Sequence, residues 1–402
     1  MNIGKGIKMC KRGSFWSDCL SEEGDSPEEG QREGGIYIHI PFCSSRCGYC
    51  GFFTAGSRIA DWPRFVSSLA DELALRVGEI PDVVRTIYFG GGTPSQMPAD
   101  MFKSLMESVR NIVCSTGHIL NLQEVTVESN PDDITVELAD AWKSVGVNRV
   151  SLGIQSFLED ELRVMERHHN PCHVEKALEI LHGRFSNISA DLIFGLPGQS
   201  LSDWRFSLEH ALDAGIAHLS AYSLSFEERS LLTYRRNHGE IKEAEEVDTA
   251  AMYSLLLEMT SRAGMRHYEV SNFARPGFES RHNSSYWNGL PYIGVGPSAS
   301  SYDGVRCRKT NAHSLVDWVR KGEMEILTDE EMLAEYILTR MRRAEGIDVK
   351  DMKKRFGQDT AESVIEKASR LAEAGLVTEK DGRIKVTDEG WMVHDYICTE
   401  LF

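Results

Sequence analysis

The sequence predicts an α/β fold, a partial (β/α)6 TIM-like barrel followed by a C-terminal α+β winged-helix-like domain. Six short β-rich runs alternate with amphipathic helical patterns between residues 36 and 264, and this alternation is typical of βα units around a parallel sheet. The alternation stops near residue 328, where three helical patterns and a short hairpin follow. Glycine and polar residues recur where the predicted strands end, at the rim where barrels carry their functional residues.

The chain divides into four expected segments. Residues 1–34 are rich in Gly, Ser and Glu and are expected to form a disordered acidic N-terminal tail, because they bury little apolar surface. Residues 35–275 form the barrel, residues 276–327 connect it to the last domain, and residues 328–402 form the winged-helix-like domain.

The barrel elements follow from hydrophobic periodicity. Strands are expected at 36–40, 86–90, 124–129, 149–155, 188–195 and 218–226, with a further strand at 267–274. Helices are expected at 61–78, 99–113, 132–145, 158–183, 201–214 and 245–264. The first helix shows three- and four-residue apolar spacing at Trp62, Phe65, Leu69, Leu73 and Val77. In the last domain, helices are expected at 330–342, 346–356 and 360–377, before a hairpin and helix over 382–397.

Composition excludes several classes of protein. The 402 residues are 41% hydrophobic and carry a formal net charge of −17, whereas nucleic-acid binding needs dense Lys and Arg. We therefore expect no nucleic-acid partner and a structural role for the winged-helix-like domain.

No apolar run reaches the ~18 residues of a membrane span. Nine cysteines without a regular disulfide framework, and no signal-peptide pattern, favour the cytoplasm.

The central motif is Cys43, Cys47 and Cys50, with C-x3-C-x2-C spacing directly after the first strand. Thiolates at this spacing on a loop can bind three corners of an iron–sulfur cubane and leave one iron open for a small molecule. A structural zinc site is the alternative. It needs four ligands, the chain has no second C-x2-C pair, and His39 is the available fourth ligand.

Other candidate residues lie at the ends of successive strands. Gly90–Gly92 and Thr93 follow the second strand, and glycines let the backbone approach a ligand closely, although a tight βα turn also explains them. Glu128 could accept hydrogen bonds from a ribose or an ammonium group. Arg167, on the helical segment after Gln155, could pair with a carboxylate. Surface positions are the alternative for both side chains.

The motif CSSRCGYC, with YIHIPFC before it and GGGTPS, VESNPDD, SLGIQSF and DLIFGLPGQ after it, resembles the radical S-adenosylmethionine family. Over residues 36–400 the chain is similar to the branch of oxygen-independent coproporphyrinogen III oxidases and their heme-chaperone relatives. The resemblance implies a barrel of the radical S-adenosylmethionine type, whose cluster delivers one electron to the sulfonium to form a 5′-deoxyadenosyl radical. It implies a [4Fe-4S] cluster on Cys43, Cys47 and Cys50. It also implies S-adenosylmethionine contacts from Tyr37, Tyr49, Gly91, Gly92, Thr93, Glu128, Gln155, Arg167 and Asp191, with Tyr49 beside the adenine.

Two features favour the chaperone branch. Phe52 stands where the oxidases usually carry a fourth cysteine. Residues 282–287 read HNSSYW and match the HNxxYW motif of the chaperones, which makes His282 a candidate axial ligand of heme, with aromatic rings to flank the porphyrin. A packed or surface histidine is the alternative for His282.

The resemblance therefore implies a cytoplasmic heme chaperone that binds heme and passes it to apo-hemoproteins of the respiratory chain. The cluster and S-adenosylmethionine would support structure, dimerisation or transfer, and a homodimer and a peripheral membrane contact stay open. The alternative is an enzyme, a coproporphyrinogen dehydrogenase that oxidatively decarboxylates two propionates of its substrate. Whether the chain catalyses radical chemistry is left open. A DNA-binding regulator is the third class, and the acidic balance disfavours it.

Overall fold

The computed structural model describes residues 30–57 and 60–402. The predicted tail therefore lies almost wholly outside the described residues. The first strand begins at Glu33, three residues before the predicted start at Ile36. The backbone N–H of Arg32 donates to Asp82 at 2.8 Å, so the chain already contacts the barrel before the strand begins.

The barrel segment alternates strands and helices as the sequence predicts. Its strands are β1 Glu33–Ile40, β2 Phe42–Cys43, β3 Ala55–Gly56, β4 Val83–Gly91, β5 Ile119–Ser129, β6 Arg149–Gln155, β7 Asn187–Phe194 and β8 His218–Ser223. Its helices are α1 Trp62–Leu75, α2 Ala99–Ser115, α3 Val136–Ser144, α4 Glu159–Val164, α5 Pro171–His182, α6 Leu201–Asp213, α7 Leu231–Asn237 and α8 Glu246–Arg262.

Six of these strands form a continuous parallel array in the order β1-β4-β5-β6-β7-β8. Strands β4, β6 and β7 are almost wholly buried, as parallel strands packed against helices are. This array confirms the predicted partial (β/α)6 barrel. The short pair β2–β3 lies outside it and frames the cysteine loop.

The helical patterns predicted over 158–183 form two separate helices. Helix α4 ends at Val164 and α5 begins at Pro171, because Asn170 caps a new helix with Pro171 in its first turn. Arg167 therefore lies in the loop between the two helices rather than on a helix. This loop brings its side chain to the rim of the barrel.

The connecting segment contains more regular structure than the sequence predicts. The strand expected over 267–274 is two antiparallel strands, and four further strands and a short helix follow. These elements are β9 Arg266–Glu269, β10 Asn272–Ala274, α9 Arg281–Trp287, β11 Tyr292–Val295, β12 Ser300–Tyr302, β13 Cys307–Thr310 and β14 Glu323–Ile326. Strand β11 pairs in parallel with β1, so the sheet grows to twelve strands on the described part of the chain.

A buried ionic cluster holds this extension against α1. The guanidinium of Arg76 contacts Glu72 at 2.6 Å and Glu79 at 2.5 Å, and it also donates to the carbonyl of Gly294 at 2.7 Å. Glu72 accepts from the indole N–H of Trp318 at 2.6 Å and from the amide of Asn311 at 2.7 Å. Because every member is buried and paired, loss of one would leave an uncompensated buried charge.

The last domain has its own core and confirms the winged-helix-like prediction. A three-stranded sheet with the order β15-β17-β16 packs on four helices. The elements are α10 Asp329–Met341, β15 Ile347–Asp348, α11 Val349–Phe356, α12 Gln358–Glu373, β16 Val377–Lys380, β17 Arg383–Val386 and α13 His394–Leu401. In the described part of the chain, every helix is too short or too polar to cross a membrane.

Candidate cluster and cofactor site

The cysteine loop is anchored on both sides. Cys43 ends β2, and the loop that carries Cys47 and Cys50 is held by a hydrogen bond from the Gly48 N–H to the carbonyl of Met165 at 2.9 Å. The three thiols are half-buried. The loop thus presents its sulfurs to an open pocket rather than to the core.

Two polar side chains contact the sulfurs directly. The hydroxyl of Thr93 donates to Sγ of Cys43 at 3.3 Å, and the guanidinium of Arg167 donates to Sγ of Cys47 at 3.2 Å. The Thr93 hydrogen bond lowers the pKa of the Cys43 thiol, against the larger effect of burial. Thr93 follows β4, and Arg167 comes from the α4–α5 loop, so two separate rim segments converge on the cysteines.

Gly92 permits the close approach of β4 to this loop. A Cβ atom at this position would lie 2.6 Å from the carbonyl of Pro41 and 3.0 Å from Sγ of Cys43. Neighbouring Gly91 has φ +113, in the left-handed region that favours glycine. The glycine run is therefore a steric requirement of the site and not only a turn.

The donor set fits an iron–sulfur cluster. Burial raises the pKa of the Cys43 thiol to about 11 and also raises that of Cys50, so a metal would be needed to hold these groups as thiolates. Among the described residues, no three His, Cys, Asp or Glu side chains lie close enough together to hold a single metal ion. In a cubane each thiolate binds a different iron, so its sulfurs stay further apart than around zinc. Three thiols suit three corners of such a cluster.

A pocket of about 140 Å³, open to solvent, lies beside the cysteines at the carboxyl ends of the parallel strands. Every residue predicted to contact the cluster or S-adenosylmethionine lines it, with the exception of Tyr37. These lining residues are Cys43, Cys47, Tyr49, Cys50, Gly91, Gly92, Thr93, Glu128, Gln155, Arg167 and Asp191. Phe52 is also part of this wall, and its side chain is 68% exposed.

Glu128 lies at the floor of the pocket. Its carboxylate accepts hydrogen bonds from the hydroxyl of Tyr88 at 2.7 Å and from the N–H of Gly91 at 3.1 Å. Burial raises the pKa of Glu128 to about 7, against the lowering effect of the Tyr88 hydroxyl. Asp191 is similar, because burial raises its pKa while hydroxyl donors such as Ser151, at 3.1 Å, lower it.

The Arg167 guanidinium joins the pocket wall to the cluster loop. It donates to the amide oxygen of Asn130 at 2.8 Å and to the carbonyl of Gly153 at 2.6 Å. Nε of Arg167 and the hydroxyl of Ser129 are buried without a hydrogen-bond partner among the described residues. Such orphaned groups are rare in native proteins, and a polar ligand in the pocket would satisfy them. The wall therefore fits a polar cofactor such as S-adenosylmethionine.

Tyr37 lies deeper in the barrel than the pocket wall. Its hydroxyl is 3.0 Å from Nδ1 of His39, and its ring stacks on Tyr88 with 6.0 Å between centroids. The strand alternation places Tyr37 and His39 on the same inward face of β1. Contact between Tyr37 and S-adenosylmethionine stays a prediction. His39 is buried within the barrel interior, with Nε2 3.4 Å from the carbonyl of Phe53.

His282 is buried inside the barrel and lies outside the pocket wall. Nδ1 is 2.7 Å from the hydroxyl of Thr86, and Nε2 is 2.7 Å from the hydroxyl of Tyr286. Its ring stacks on Tyr88, with 5.0 Å between centroids. Burial lowers its pKa to about 3, so the imidazole is neutral. Ligation of iron through Nε2 therefore requires the Tyr286 hydroxyl to move away.

Sequence reasoning missed several residues of this site. Asn130 and Ser129 lie in or beside the VESNPDD motif, and their roles depend on the loop that delivers Arg167. Tyr88 and Thr86 sit on β4 and become partners of Glu128 and His282 only through the sheet. Alternation along the strand places both on one face, which was the available signal.

Comparison with known proteins identifies the family. Residues 37–211 match the model of the radical SAM superfamily, and residues 327–393 match that of the HemN C-terminal domain. The curated heme chaperone HemW of Bacillus subtilis is 32% identical over 88% of this chain and 95% of its own length. The chain belongs to the HemW family of radical SAM proteins.

Other HemW relatives and a solved structure agree with this assignment. HemW of Mycobacterium tuberculosis strain H37Rv is 32% identical over 94% of this chain and 97% of its own length. The structure of coproporphyrinogen III oxidase (HemN) from Escherichia coli, a radical SAM enzyme, matches with a TM-score of 0.76. It covers 92% of this chain and 90% of its own, and at 22% identity it shows that the two proteins share a fold.

Proposed function

We propose that this HemW-family chain is a heme chaperone that binds heme and passes it to apo-hemoproteins of the respiratory chain. The name of the curated relatives and the HNSSYW motif support this proposal. The observation that carries it is the environment of His282. A neutral imidazole among aromatic rings is a good iron ligand, and one ring nitrogen is covered only by the phenol of the same motif.

The three cysteines would hold a [4Fe-4S] cluster, and the adjoining pocket would hold S-adenosylmethionine. The cluster supplies single electrons and an open iron when it is bound. The chain's own residues then perform separate tasks: Arg167 and Thr93 orient two of the sulfurs, and Glu128 presents a carboxylate to a ribose or ammonium group. Gly91 and Gly92 expose backbone to the ligand.

His282 is linked to the cofactor pocket through Tyr88. The Tyr88 ring stacks on the imidazole, and its hydroxyl donates to Glu128 in the pocket wall. Occupancy of the pocket can therefore bias the packing around His282. This contact supports a role for S-adenosylmethionine in heme loading or release, without requiring radical chemistry.

Hemin titration of anaerobically reconstituted protein tests the proposal. We expect a Soret band in the wild type that weakens in His282→Ala and in His282→Gln, since both remove the imidazole. His210→Ala is the matched control, because His210 is exposed on α6 and reports non-specific binding to surface histidines. Iron content measured on each protein before hemin is added shows whether the cluster site is intact. Equal binding by the wild type and both His282 variants would refute the assignment.

The alternative is the coproporphyrinogen dehydrogenase. It is supported by the shared fold with HemN and by the HemN C-terminal domain match. Phe52 counts against it, because this aromatic side chain takes the place of the oxidases' fourth cysteine at the mouth of the pocket. Anaerobic incubation with coproporphyrinogen III, S-adenosylmethionine and a reductant decides the matter, since only the enzyme yields protoporphyrinogen.

The proposal places the protein in the cytoplasm, because a thiolate-ligated cluster is suited to reducing surroundings. Transfer to respiratory apo-hemoproteins would bring it to the membrane surface, and the cofactor could support a homodimer. Light scattering with and without S-adenosylmethionine tests the homodimer. Co-sedimentation with lipid vesicles tests the peripheral contact.

A further inference from the structure

A second cleft lies between the HNSSYW helix α9 and the winged-helix-like domain. Its volume is about 300 Å³, at the lower end of the range of ~300–1,000 Å³ that ligand pockets span, and it is open to solvent. Aromatic side chains from three regions of the chain form its walls. They are Tyr286, Trp287, Tyr292, Tyr302, Tyr336 and Phe356. Such a lining suits a large, flat, apolar ligand.

The cleft is cationic although the chain is acidic. Its charged side chains are Arg308, Arg340 and Arg355 against a single acid, Glu335, in a protein with a net charge of −17. Arg340 is used to hold α9, because its guanidinium donates to the carbonyl of Trp287 and the amide oxygen of Asn288, both at 2.9 Å. The other two arginines are the candidates for a ligand.

Arg308 and Arg355 stand at the accessible part of the wall. Their side chains are 34% and 48% exposed, and each makes one ion pair, with Glu335 at 2.8 Å and with Asp351 at 3.0 Å. Each guanidinium also lies within about 6 Å of a cleft aromatic ring. A guanidinium that keeps donors open can bind a carboxylate bidentately.

The cleft also adjoins the proposed iron ligand. Tyr286 lines the cleft, and its hydroxyl contacts His282 in the barrel interior, so the Tyr286 side chain separates the two. The indole N–H of Trp287 is buried without a hydrogen-bond partner among the described residues. A hydrogen-bond acceptor on a ligand in the cleft could satisfy it.

We propose that this cleft is the heme-docking site, with the macrocycle between the aromatic walls and its two propionates on Arg308 and Arg355. The inference rests on the proposed function and adds the place where the cargo enters. A porphyrin with two carboxylates matches both the apolar walls and the pair of accessible cations. Docking there places heme next to Tyr286, the residue that must move before His282 can bind iron.

The test compares hemin with hemin dimethyl ester, whose propionates carry no charge. The wild type is expected to bind hemin about tenfold or more tightly than the ester, because each charge-assisted hydrogen bond contributes strongly to affinity. The double variant Arg308→Gln/Arg355→Gln is expected to lose most of this preference. The matched control Arg262→Gln/Arg370→Gln removes two exposed, ion-paired arginines that do not line the cleft and is expected to keep the preference.

The outcomes separate the two proposals. A wild type that binds no hemin refutes the heme-chaperone function and the cleft together. A wild type that binds hemin and its ester equally, or a cleft variant that keeps the preference for hemin, overturns the docking site alone. Thermal unfolding and iron content of each variant, measured before hemin is added, show whether the fold is retained. The variant Glu335→Gln removes the acid that lines the cleft, and it is expected to bind hemin more tightly.

Discussion

The hydroxyl of Tyr286 lies 2.7 Å from Nε2 of His282, one turn further along the same helix. The ring nitrogen best placed to receive iron is thus covered by another residue of the same motif. If His282 binds heme iron as proposed, this arrangement holds a neutral imidazole behind Tyr286, whose side chain controls access to it.

Removal of the Tyr286 hydroxyl should ease heme ligation. Tyr286→Phe abolishes the hydrogen bond that competes with iron, and a neutral hydrogen bond is worth about 1 kcal/mol, so hemin should bind about fivefold more tightly. The Soret band should also shift toward the low-spin form. Optical titration measures both quantities, with Tyr234→Phe on the exposed face of α7 as the control. An unchanged titration would show that the hydroxyl does not compete with iron.

Glu128 should make stability depend on pH. Its pKa is raised from 4.5 to about 7, so between these values the folded protein holds a proton that the unfolded chain has released. Stability therefore falls as pH rises through this window, and the full penalty is present above pH 7. Glu128→Gln carries no charge and should raise the melting temperature more at pH 8 than at pH 5.

Thermal unfolding at the two pH values, without added S-adenosylmethionine, measures this difference. Glu175→Gln on α5 is the matched control, since this side chain is exposed. A Glu128→Gln effect of the same size at both pH values would show that the carboxylate is ionised throughout.

Gly92 should be needed for cluster assembly. In Gly92→Ala the new methyl group would meet the carbonyl of Pro41 and the sulfur of Cys43, so the cysteine loop must shift. Reconstituted protein should contain several-fold less iron, with weaker absorbance of the cluster. Gly56→Ala is the control, because a Cβ there meets open space near the same loop. Full iron loading of Gly92→Ala would mean that the loop adapts without cost to the site.

The buried cluster around Arg76 should contribute strongly to stability. Arg76→Met leaves Glu72 without its cation and leaves Glu79 with only Lys309, at 3.5 Å, and loss of one partner of a buried ion pair costs about 3–5 kcal/mol. Chemical denaturation measures the loss. Arg370→Met, which breaks an exposed pair with Glu366, should change stability by about 0–1 kcal/mol. Similar values for the two variants would contradict the role assigned to the cluster.

The barrel could be predicted from sequence because its signals are local. Strand β6 was placed at 149–155, as observed, since its apolar run and flanking helical periodicity lie within a short window. Strands β11–β14 were missed because each has three or four residues. β14 reads EMEI with every side chain exposed, so no hydrophobic pattern distinguishes it from a loop.

The candidate site, too, could be predicted from local sequence signals in some parts and not in others. Gly92, Glu128 and Asp191 were found because parallel strands end at one rim, so their position along the strand decides their place. The depth of a side chain within the barrel cannot be inferred from its position along a strand. Tyr37 lies deeper in the barrel than the pocket wall. His282 has its ring partners on β4, about 200 residues earlier in the chain, and no local pattern indicates that pairing.

The pairing of β1 with both β4 and β11 has a consequence for biogenesis. Gly35 lies beside Tyr292, so one flank of β1, the strand that leads into the cysteine loop, is completed only after most of the chain has left the ribosome. The cysteine loop therefore leaves the ribosome long before the strand that precedes it is fully paired, and its thiols are exposed to oxidants during that interval. We therefore expect the cluster to be inserted after synthesis is complete. Maturation in the presence of oxygen should lower the yield of protein that carries the cluster.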